Sequence, residues 1–163
     1  MYKPLYWYYG NVKFPDTEVE QVINELIKLG DELIKREEAI SSYYLKLPSR
    51  PDKIWQTRYQ KIIEDLTKSI GIESTTKYEW EYWSQLYFHK NRHRAHNHCN
   101  GTPTISFVHF IKPTEDNHFV FLDNDGNDHV IPEQCEGDIV FFPSYLWHRV
   151  LPLKSGSRFV VAG

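Results

Sequence analysis

The first seventy residues carry apolar side chains at the three- and four-residue spacing of amphipathic helices. A first helix is predicted to begin with Asp16 or Thr17 as its N-cap and to end near Gly30. Glu20 would complete a capping box if Thr17 is the cap. The stretch 31–40 is again helical in composition.

A second helix is predicted to begin at Asp52, as its cap, and to end at Gly71, the usual left-handed residue past a helix terminus. Its apolar side consists of Ile54, Trp55, Tyr59, Ile62, Ile63, Leu66 and Ile70. Because both helices are amphipathic, each needs an apolar layer on which to pack.

After Gly71 the pattern changes to short runs of β-branched and aromatic residues separated by turn residues. The predicted strands here are 75–88, 104–111, 118–122, 128–131, 138–142, 147–151 and 158–162, in addition to a short aromatic strand over 1–10 that Gly10 ends. Helices followed by many short strands indicate an α+β fold, with the helices on one face of an antiparallel double sheet. We therefore predict one domain over 1–163, with supporting helices in 1–71 and a β core in 72–163.

Composition and charge narrow the class of protein without identifying it. The 163 residues are 40% hydrophobic and 25% charged, with a net charge of -3, as in an ordinary globular chain. No apolar run reaches the roughly 18 residues of a membrane span, and the near-neutral balance makes nucleic acid an improbable partner. Two cysteines and the lack of a signal-peptide pattern favour the cytoplasm, and the sequence does not indicate an oligomeric state.

The histidines are clustered, since four of the eight lie between His89 and His98. On a strand, His96 and His98 would project from the same face, where two imidazoles make good ligands for Fe(II) or Zn(II). The alternative is a solvated pair at the edge of the core. The histidines treated as non-ligands are His89, His93, His109, His118 and His129.

Two residues near the end of the chain extend this pattern. His148 begins a strand that returns to the sheet after the buried run 139–142, and Arg158 follows it by ten residues. If both strands line one cavity, Arg158 becomes a bidentate partner for a carboxylate. Otherwise His148 is a lone histidine beside a tryptophan and Arg158 is a surface charge.

Together these residues resemble the 2-oxoglutarate- and Fe(II)-dependent dioxygenases. That family has an H-x-D/E…H metal triad, followed about ten residues later by an Arg or Lys that binds the co-substrate. Its prolyl-hydroxylase branch has a Tyr nine residues before the first histidine, and Tyr87 stands nine before His96. The segments GDIVFFPSYLWHRVLPLKSGSRFVVAG and AHNHCNG resemble small oxygenases of marine bacteria and their phages.

The resemblance implies a double-stranded β-helix (a jelly-roll, cupin-like fold) with N-terminal helices packed on the major sheet. It implies Fe(II) bound by His96, His98 and His148, and 2-oxoglutarate bound by Arg158 and Tyr87. The implied activity is hydroxylation of a small-molecule or peptide substrate, in the host cytoplasm if the chain is phage-encoded. Trp83 and Trp147 are expected to flank the cavity as core residues.

One departure from the family is that His98 stands where the acidic ligand is usual. Three readings are open: His98 replaces the carboxylate, a carboxylate from Asp116, Asp123 or Glu133 completes the triad, or the site binds metal poorly. We favour the first reading, because the H-x-H spacing puts His98 on the correct face without rearrangement. Three neutral ligands would leave the ion at +2 and hold anionic 2-oxoglutarate more firmly.

Two other classes of protein remain open on the sequence alone. One is a cupin-like three-histidine metal protein without 2-oxoglutarate chemistry, either a dioxygenase or a binding module. The other is a structural β-sandwich in which the histidines cluster by chance. Arg158 separates these from the oxygenase, since a co-substrate anchor has no role in a bare binding module.

Overall fold

The structure is a computed structural model that describes residues 5–30, 38–71, 79–99 and 105–163. Most of the stretch predicted as helical over 31–40 lies outside these ranges. So do the first residues of the predicted strand 75–88 and the first residue, Thr104, of the predicted strand 104–111. The remaining elements can be compared with the sequence pattern.

The larger of two sheets, here the major sheet, has six strands in the order β1-β8-β5-β10-β3-β2, all paired antiparallel. Their bounds are β1 Trp7–Asn11, β2 Ile40–Ser41, β3 Trp83–Tyr87, β5 Ile105–Lys112, β8 Asp138–Pro143 and β10 Arg158–Ala162. The minor sheet has the order β4-β9-β6-β7, also antiparallel. Its bounds are β4 His93–His96, β6 Phe119–Leu122, β7 Asp128–Val130 and β9 His148–Val150.

An aromatic core lies between the two sheets. Its largest members include Phe110, Phe119, Phe121 and Phe142, which are all at most 2% exposed. Successive side chains of a strand point to opposite faces, so Phe142 belongs to this core while its neighbour Phe141 faces away from it.

The outer face of the major sheet is covered by helices. Helix α1 (Asp16–Lys28) and helix α2 (Gln56–Ser69) bury apolar faces against it. The core formed there includes Val22, Leu26, Tyr59, Ile62, Phe107, Phe141 and Phe159. The predicted double-stranded β-helix, with helices packed on its major sheet, is confirmed. In the described ranges, neither helix is long and apolar enough to cross a bilayer.

Both predicted helix caps are wrong. Pro15 occupies the N-cap position of α1 and no side chain caps that helix, because proline already fixes the backbone for helix entry. Asp52 lies inside a 3-10 helix, Pro51–Trp55, that precedes α2. Its buried carboxylate instead accepts hydrogen bonds from Ser42 and Ser84, which lie far away in sequence.

Two strands are absent from the sequence prediction. Strand β4 reads HRAH, which has no β-branched residue, and β2 has only two residues. Both are held by pairing with a neighbouring strand rather than by their own propensity. These two unpredicted strands border the cavity described next.

Candidate functional site

Two of the three predicted metal ligands are direct partners across the minor sheet. His96 at the end of β4 is paired with His148 at the start of β9, and their ring centroids are 4.2 Å apart. His98 lies just beyond β4, where its backbone N–H donates to the Ser144 carbonyl at 2.9 Å. Its ring centroid is 5.1 Å from that of His96 and 5.2 Å from that of His148.

The three imidazoles present ligand nitrogens that lie within 4.8 Å of one another. This separation is short enough for small ring rotations to bring all three onto one ion at His–metal bond lengths of about 2.0–2.1 Å. Of the His, Cys, Asp and Glu side chains in the described ranges, these three form the group that could hold a metal ion.

Backbone carbonyls select the tautomers of two of these histidines. Nδ1 of His96 lies 2.8 Å from the Arg94 carbonyl, and Nδ1 of His148 lies 2.9 Å from the Leu146 carbonyl. A carbonyl can only accept, so each Nδ1 carries the proton and donates it. Each Nε2 therefore keeps a lone pair for a metal, as in known His–metal sites where a carbonyl or carboxylate accepts the other ring N–H.

Burial keeps all three imidazoles neutral. Desolvation, with the neighbouring His96, lowers the pKa of His98 to about 4 and that of His148 to about 2. Burial also lowers the pKa of His96, while the Arg94 carbonyl and the charge of Glu38 act in the opposite direction. Neutral imidazole is the form that binds a metal, so the site offers three competent ligands near pH 7.

A fourth histidine, His93, belongs to the same cluster and was treated as a non-ligand on the sequence. Its ring stacks on that of His96 with centroids 4.2 Å apart, and it lines the same cavity. Positions 93 and 96 would face opposite sides of a regular strand, but the pairing of β4 with β9 shifts register between them. This irregularity turns both side chains toward the interior.

The histidines open onto a cavity of about 370 Å³ between the two sheets. Tyr87 and Arg158 line it on the side of the major sheet, where they are direct cross-strand partners of β3 and β10. All five residues singled out from the sequence are therefore brought together around one space.

Arg158 is 1% exposed, yet most of its hydrogen-bonding capacity is unused. Nε and Nη1 have no partner, and Nη2 has only a long contact of 3.5 Å to Oε1 of Gln134. The guanidinium lies 5.3 Å from the Tyr87 ring centroid and 5.6 Å from that of Phe110. Burial lowers its pKa to about 10, so it remains cationic at neutral pH.

A buried cation with idle donors is costly unless an anion pairs with it. The fork geometry of a guanidinium matches a carboxylate, and 2-oxoglutarate carries one at the end remote from its keto acid. The hydroxyl of Tyr87 donates to Oε1 of Gln85 at 2.8 Å, and burial raises its pKa, so it stays protonated. Both donor sets of the cavity thus fit the groups that the sequence resemblance implies: three imidazoles for Fe(II) and a free guanidinium for 2-oxoglutarate.

The carboxylates weighed as substitutes for the missing acid lie outside the histidine group. Asp116 pairs with Lys154 at 3.2 Å, and Asp123 accepts the backbone N–H groups of Asp125 and Asn127. Glu133 is exposed on the surface.

Of the two tryptophans expected at the cavity, Trp83 lines it, whereas the expectation for Trp147 is wrong. The Trp147 side chain is 50% exposed. It immediately precedes His148, and alternation along the strand sends its indole to the opposite face of the minor sheet.

Comparison of sequences gives little information on the site. No protein-family model matches the chain. The putative antitoxin RelB1 of Methanocaldococcus jannaschii is 34% identical over 71 residues, which are 42% of this chain and 87% of the antitoxin. At this identity and coverage of the antitoxin, the matched segment belongs to the antitoxin's family. The segment makes up less than half of this chain.

Comparison of structures covers nearly the whole chain. A prolyl-4-hydroxylase of Pseudomonas putida is similar with a TM-score of 0.63 and 16% identity, over 97% of this chain and 90% of the hydroxylase. The viral collagen prolyl hydroxylase of Paramecium bursaria chlorella virus-1, solved with 2-oxoglutarate, is similar with a TM-score of 0.60 and 18% identity. The match covers 98% of this chain and 93% of the viral enzyme.

A third similar structure is a prolyl hydroxylase of Trichoplax adhaerens, solved with a peptide of hypoxia inducible factor. It gives a TM-score of 0.63 and 10% identity, over 97% of this chain and 81% of the hydroxylase. The chain is therefore similar in fold to these prolyl hydroxylases, in agreement with the double-stranded β-helix that its sequence motifs imply.

Proposed function

We propose that this protein is a 2-oxoglutarate- and Fe(II)-dependent hydroxylase. The observation that carries the proposal is the buried Arg158 guanidinium, whose idle donors border the same cavity as three neutral histidines. His96, His98 and His148 are the proposed metal ligands, and Arg158 and Tyr87 the proposed co-substrate site.

The bound iron and 2-oxoglutarate supply the oxidising chemistry, in which oxidative decarboxylation to succinate is coupled to hydroxylation of a carbon centre. The residues of the chain bind and orient these groups. Arg158 pairs with the remote carboxylate of the co-substrate, which fixes the direction from which its keto acid reaches the metal. Tyr87, held by Gln85, limits the movement of the guanidinium from the side of its ring.

The walls of the cavity exclude water from the reacting groups. Phe119, Phe142, Val150 and Val160 line it with apolar surface, and each is at most 7% exposed. In this environment the pairing between Arg158 and a carboxylate is stronger than in water. Three neutral imidazoles also leave the full +2 charge of the ion to attract the dianionic co-substrate.

For the substrate, we propose a small molecule or peptide that presents an amino-acid side chain to the iron. The peptide complex of the Trichoplax hydroxylase supports a peptidyl substrate. A cytoplasmic location is supported by the cysteines, since both Cys99 and Cys135 are free thiols. The RelB1 match covers too little of the chain to support an antitoxin function.

The main rival is a three-histidine dioxygenase or binding module that does not use 2-oxoglutarate, which the all-histidine donor set favours. Anaerobic titration of the protein with Fe(II) and 2-oxoglutarate separates the two. The proposed function predicts a visible charge-transfer band and, after oxygen is added, slow formation of succinate without substrate. A band that never forms would overturn the proposal in favour of the rival.

The same titration tests the role of Arg158. The substitution Arg158→Gln is expected to raise the dissociation constant of 2-oxoglutarate at least about thirtyfold while Fe(II) binding persists, because a buried charge pair is lost. Arg58→Gln is the control, since Arg58 is a half-exposed arginine on α2, far from the cavity lining. Equal effects of the two substitutions would contradict the assignment.

A further inference from the structure

Three aromatic side chains line the mouth of the cavity beside the histidines. The ring of Tyr43 meets Trp83 edge-on with centroids 5.2 Å apart and meets Tyr44 edge-on at 5.6 Å. Trp83 in turn lies 6.3 Å from the ring of His98. The wall formed by Tyr43, Tyr44 and Trp83 therefore reaches from solvent to the candidate metal centre.

This aromatic wall is held in place by a buried hydrogen-bond network. Oδ2 of Asp52 accepts from the hydroxyl of Ser42 at 2.7 Å and from the hydroxyl of Ser84 at 2.6 Å. Ser42 precedes Tyr43, and Ser84 follows Trp83. The network thus fixes the two rings relative to each other before any ligand arrives, which reduces the entropy cost of binding.

Arg50 adds a second set of restraints on the same segment. Its guanidinium is buried and donates to the carbonyls of Leu45 at 2.9 Å and Tyr82 at 2.7 Å. The backbone on both sides of the aromatic wall is therefore anchored to one side chain. Such a set of restraints is typical of a binding surface rather than of an incidental surface patch.

The charges around the mouth are negative. Glu38 and Glu81 both line the cavity, and neither has an ion-pair partner among the described residues. Glu81 is two residues before Trp83. The cationic side chain that lines the cavity in the described ranges is Arg158, and the proposed function commits it to the co-substrate.

Aromatic rings beside unpaired carboxylates form a favourable surface for an organic cation. A neutral apolar group would gain from the rings alone and would not require the acids. A cavity of about 370 Å³ is near the small end of the usual range of roughly 300–1,000 Å³, and it must also hold the co-substrate. The space that remains suits one side chain rather than a bulky ring system.

Building on the proposed function, we propose that the substrate carries an ammonium group that binds against the wall of Tyr43, Tyr44 and Trp83. The cation packs against these rings at the mouth of the cavity, and the carbon to be hydroxylated lies deeper, toward the three histidines. The group can belong to a free amino acid or to a side chain of a peptide.

Matched probes test the charge directly. The full chain, loaded anaerobically with Fe(II) and 2-oxoglutarate, is titrated in a calorimeter with Nα-acetyl-lysine amide and with its neutral norleucine analogue. A pentapeptide with a central lysine, paired with its norleucine form, makes up the second arm. In one arm, the lysine probe is expected to bind at least about tenfold more tightly than its neutral partner. That arm shows whether the substrate is a free amino acid or a side chain of a peptide.

Substitutions locate the binding surface. Trp83→Leu and Glu81→Gln are each expected to lower the affinity for the lysine probe about three- to tenfold. Glu81→Gln should leave the affinity for the norleucine probe nearly unchanged. Glu115→Gln is the control, because Glu115 is an exposed acid outside the cavity lining. Since Glu81→Gln is isosteric and on the surface, it keeps the test informative if Trp83→Leu does not fold.

Equal affinity for the charged and neutral probes, or no binding of the lysine probe in either arm, would overturn the inference. A loss of affinity in Glu115→Gln as large as that in Glu81→Gln would overturn it as well. The charge-transfer band of the loaded protein is recorded in the same samples. A normal band with no preference for the cation rejects this inference alone, whereas an absent band rejects the proposed function.

Discussion

At the scale of single residues, His98 is the position at which this site departs from the oxygenase family that its motifs resemble. The ring lies 5.1 Å from His96 and 5.2 Å from His148, where the family places a carboxylate. The three nitrogens form a candidate ligand set without any acid. The charge of that set governs how strongly a dianion is attracted.

The substitution His98→Asp tests this effect. We expect Fe(II) binding to be retained and the dissociation constant of 2-oxoglutarate to rise about three- to tenfold, because the carboxylate cancels one positive charge. The measurement is the anaerobic charge-transfer titration, with His129→Asp on the exposed strand β7 as the control. Tighter binding of 2-oxoglutarate by His98→Asp would show that the charge of the ligand set does not govern the affinity for the co-substrate.

Another histidine, His109, has a structural role far from the metal ligands. Its Nε2 donates to the Val12 carbonyl at 2.7 Å, so its Nδ1 must accept the Tyr59 hydroxyl at 2.8 Å. Burial lowers its pKa to about 4, against the hydrogen bonds to the Val12 and Gly137 backbone and the charge of Asp138. The ring is therefore neutral in the folded protein at pH 7.

His109 should contribute to the loss of stability in mild acid. The unfolded chain takes up a proton near pH 6.5 and the folded one only near pH 4, so stability falls as pH drops between these values. The difference corresponds to about 3 kcal/mol. Urea unfolding at several pH values should show a smaller loss in His109→Gln than in the natural protein. An unchanged pH dependence would exclude His109 as the source.

At the scale of elements, the spacing of the candidate ligands can be predicted from the sequence, whereas the strands that carry them cannot all be predicted. His96 and His148 are cross-strand partners, and Arg158 is paired with Tyr87. The topology therefore fixes their spacing along the chain, and spacing is visible in a sequence. Strand β4 itself cannot be predicted from the sequence, because its irregular register with β9 breaks the period of two that identifies a strand.

Other features depend on contacts that no local pattern encodes. Asp52 resembles a helix cap, yet its partners are Ser42 and Ser84. The Tyr43–Trp83 pair forms where β2, with Ser41 opposite Gln85, leaves the sheet and turns into a 3-10 helix. A two-residue strand gives no sequence signal from which such a register could be predicted.

One turn offers a test of element geometry. Gly137, before β8, has φ of +88°, and a Cβ there would lie 2.9 Å from Oδ1 of Asn11 and 3.0 Å from Cγ of Lys13. Gly137→Ala is expected to lower the free energy of unfolding by about 2–3 kcal/mol, from backbone strain and the close contact together. Gly126→Ala, with φ of +83° and open space, should cost only about 1 kcal/mol. Equal losses in urea unfolding would contradict the contact argument.

At the scale of the whole molecule, the candidate metal site joins parts of the chain that are distant in sequence. A ligand that binds only the folded state stabilises it by about 2.7 kcal/mol at a hundredfold excess over its dissociation constant. Zn(II), which is redox-inert, should raise the free energy of unfolding by this amount in the natural protein and in His129→Ala. His148→Ala should show no such gain, and an equal gain there would place the metal elsewhere.

The major sheet ends at β2, a strand of two residues that turns at once into the 3-10 helix Ser42–Tyr44. A long open edge would offer unpaired backbone groups on which another chain could add a strand and begin to aggregate. An edge this short, followed by aromatic rings that turn toward the cavity, gives a second chain little to extend. The segment that we propose recognises the substrate thereby also protects this edge of the sheet from pairing with another chain.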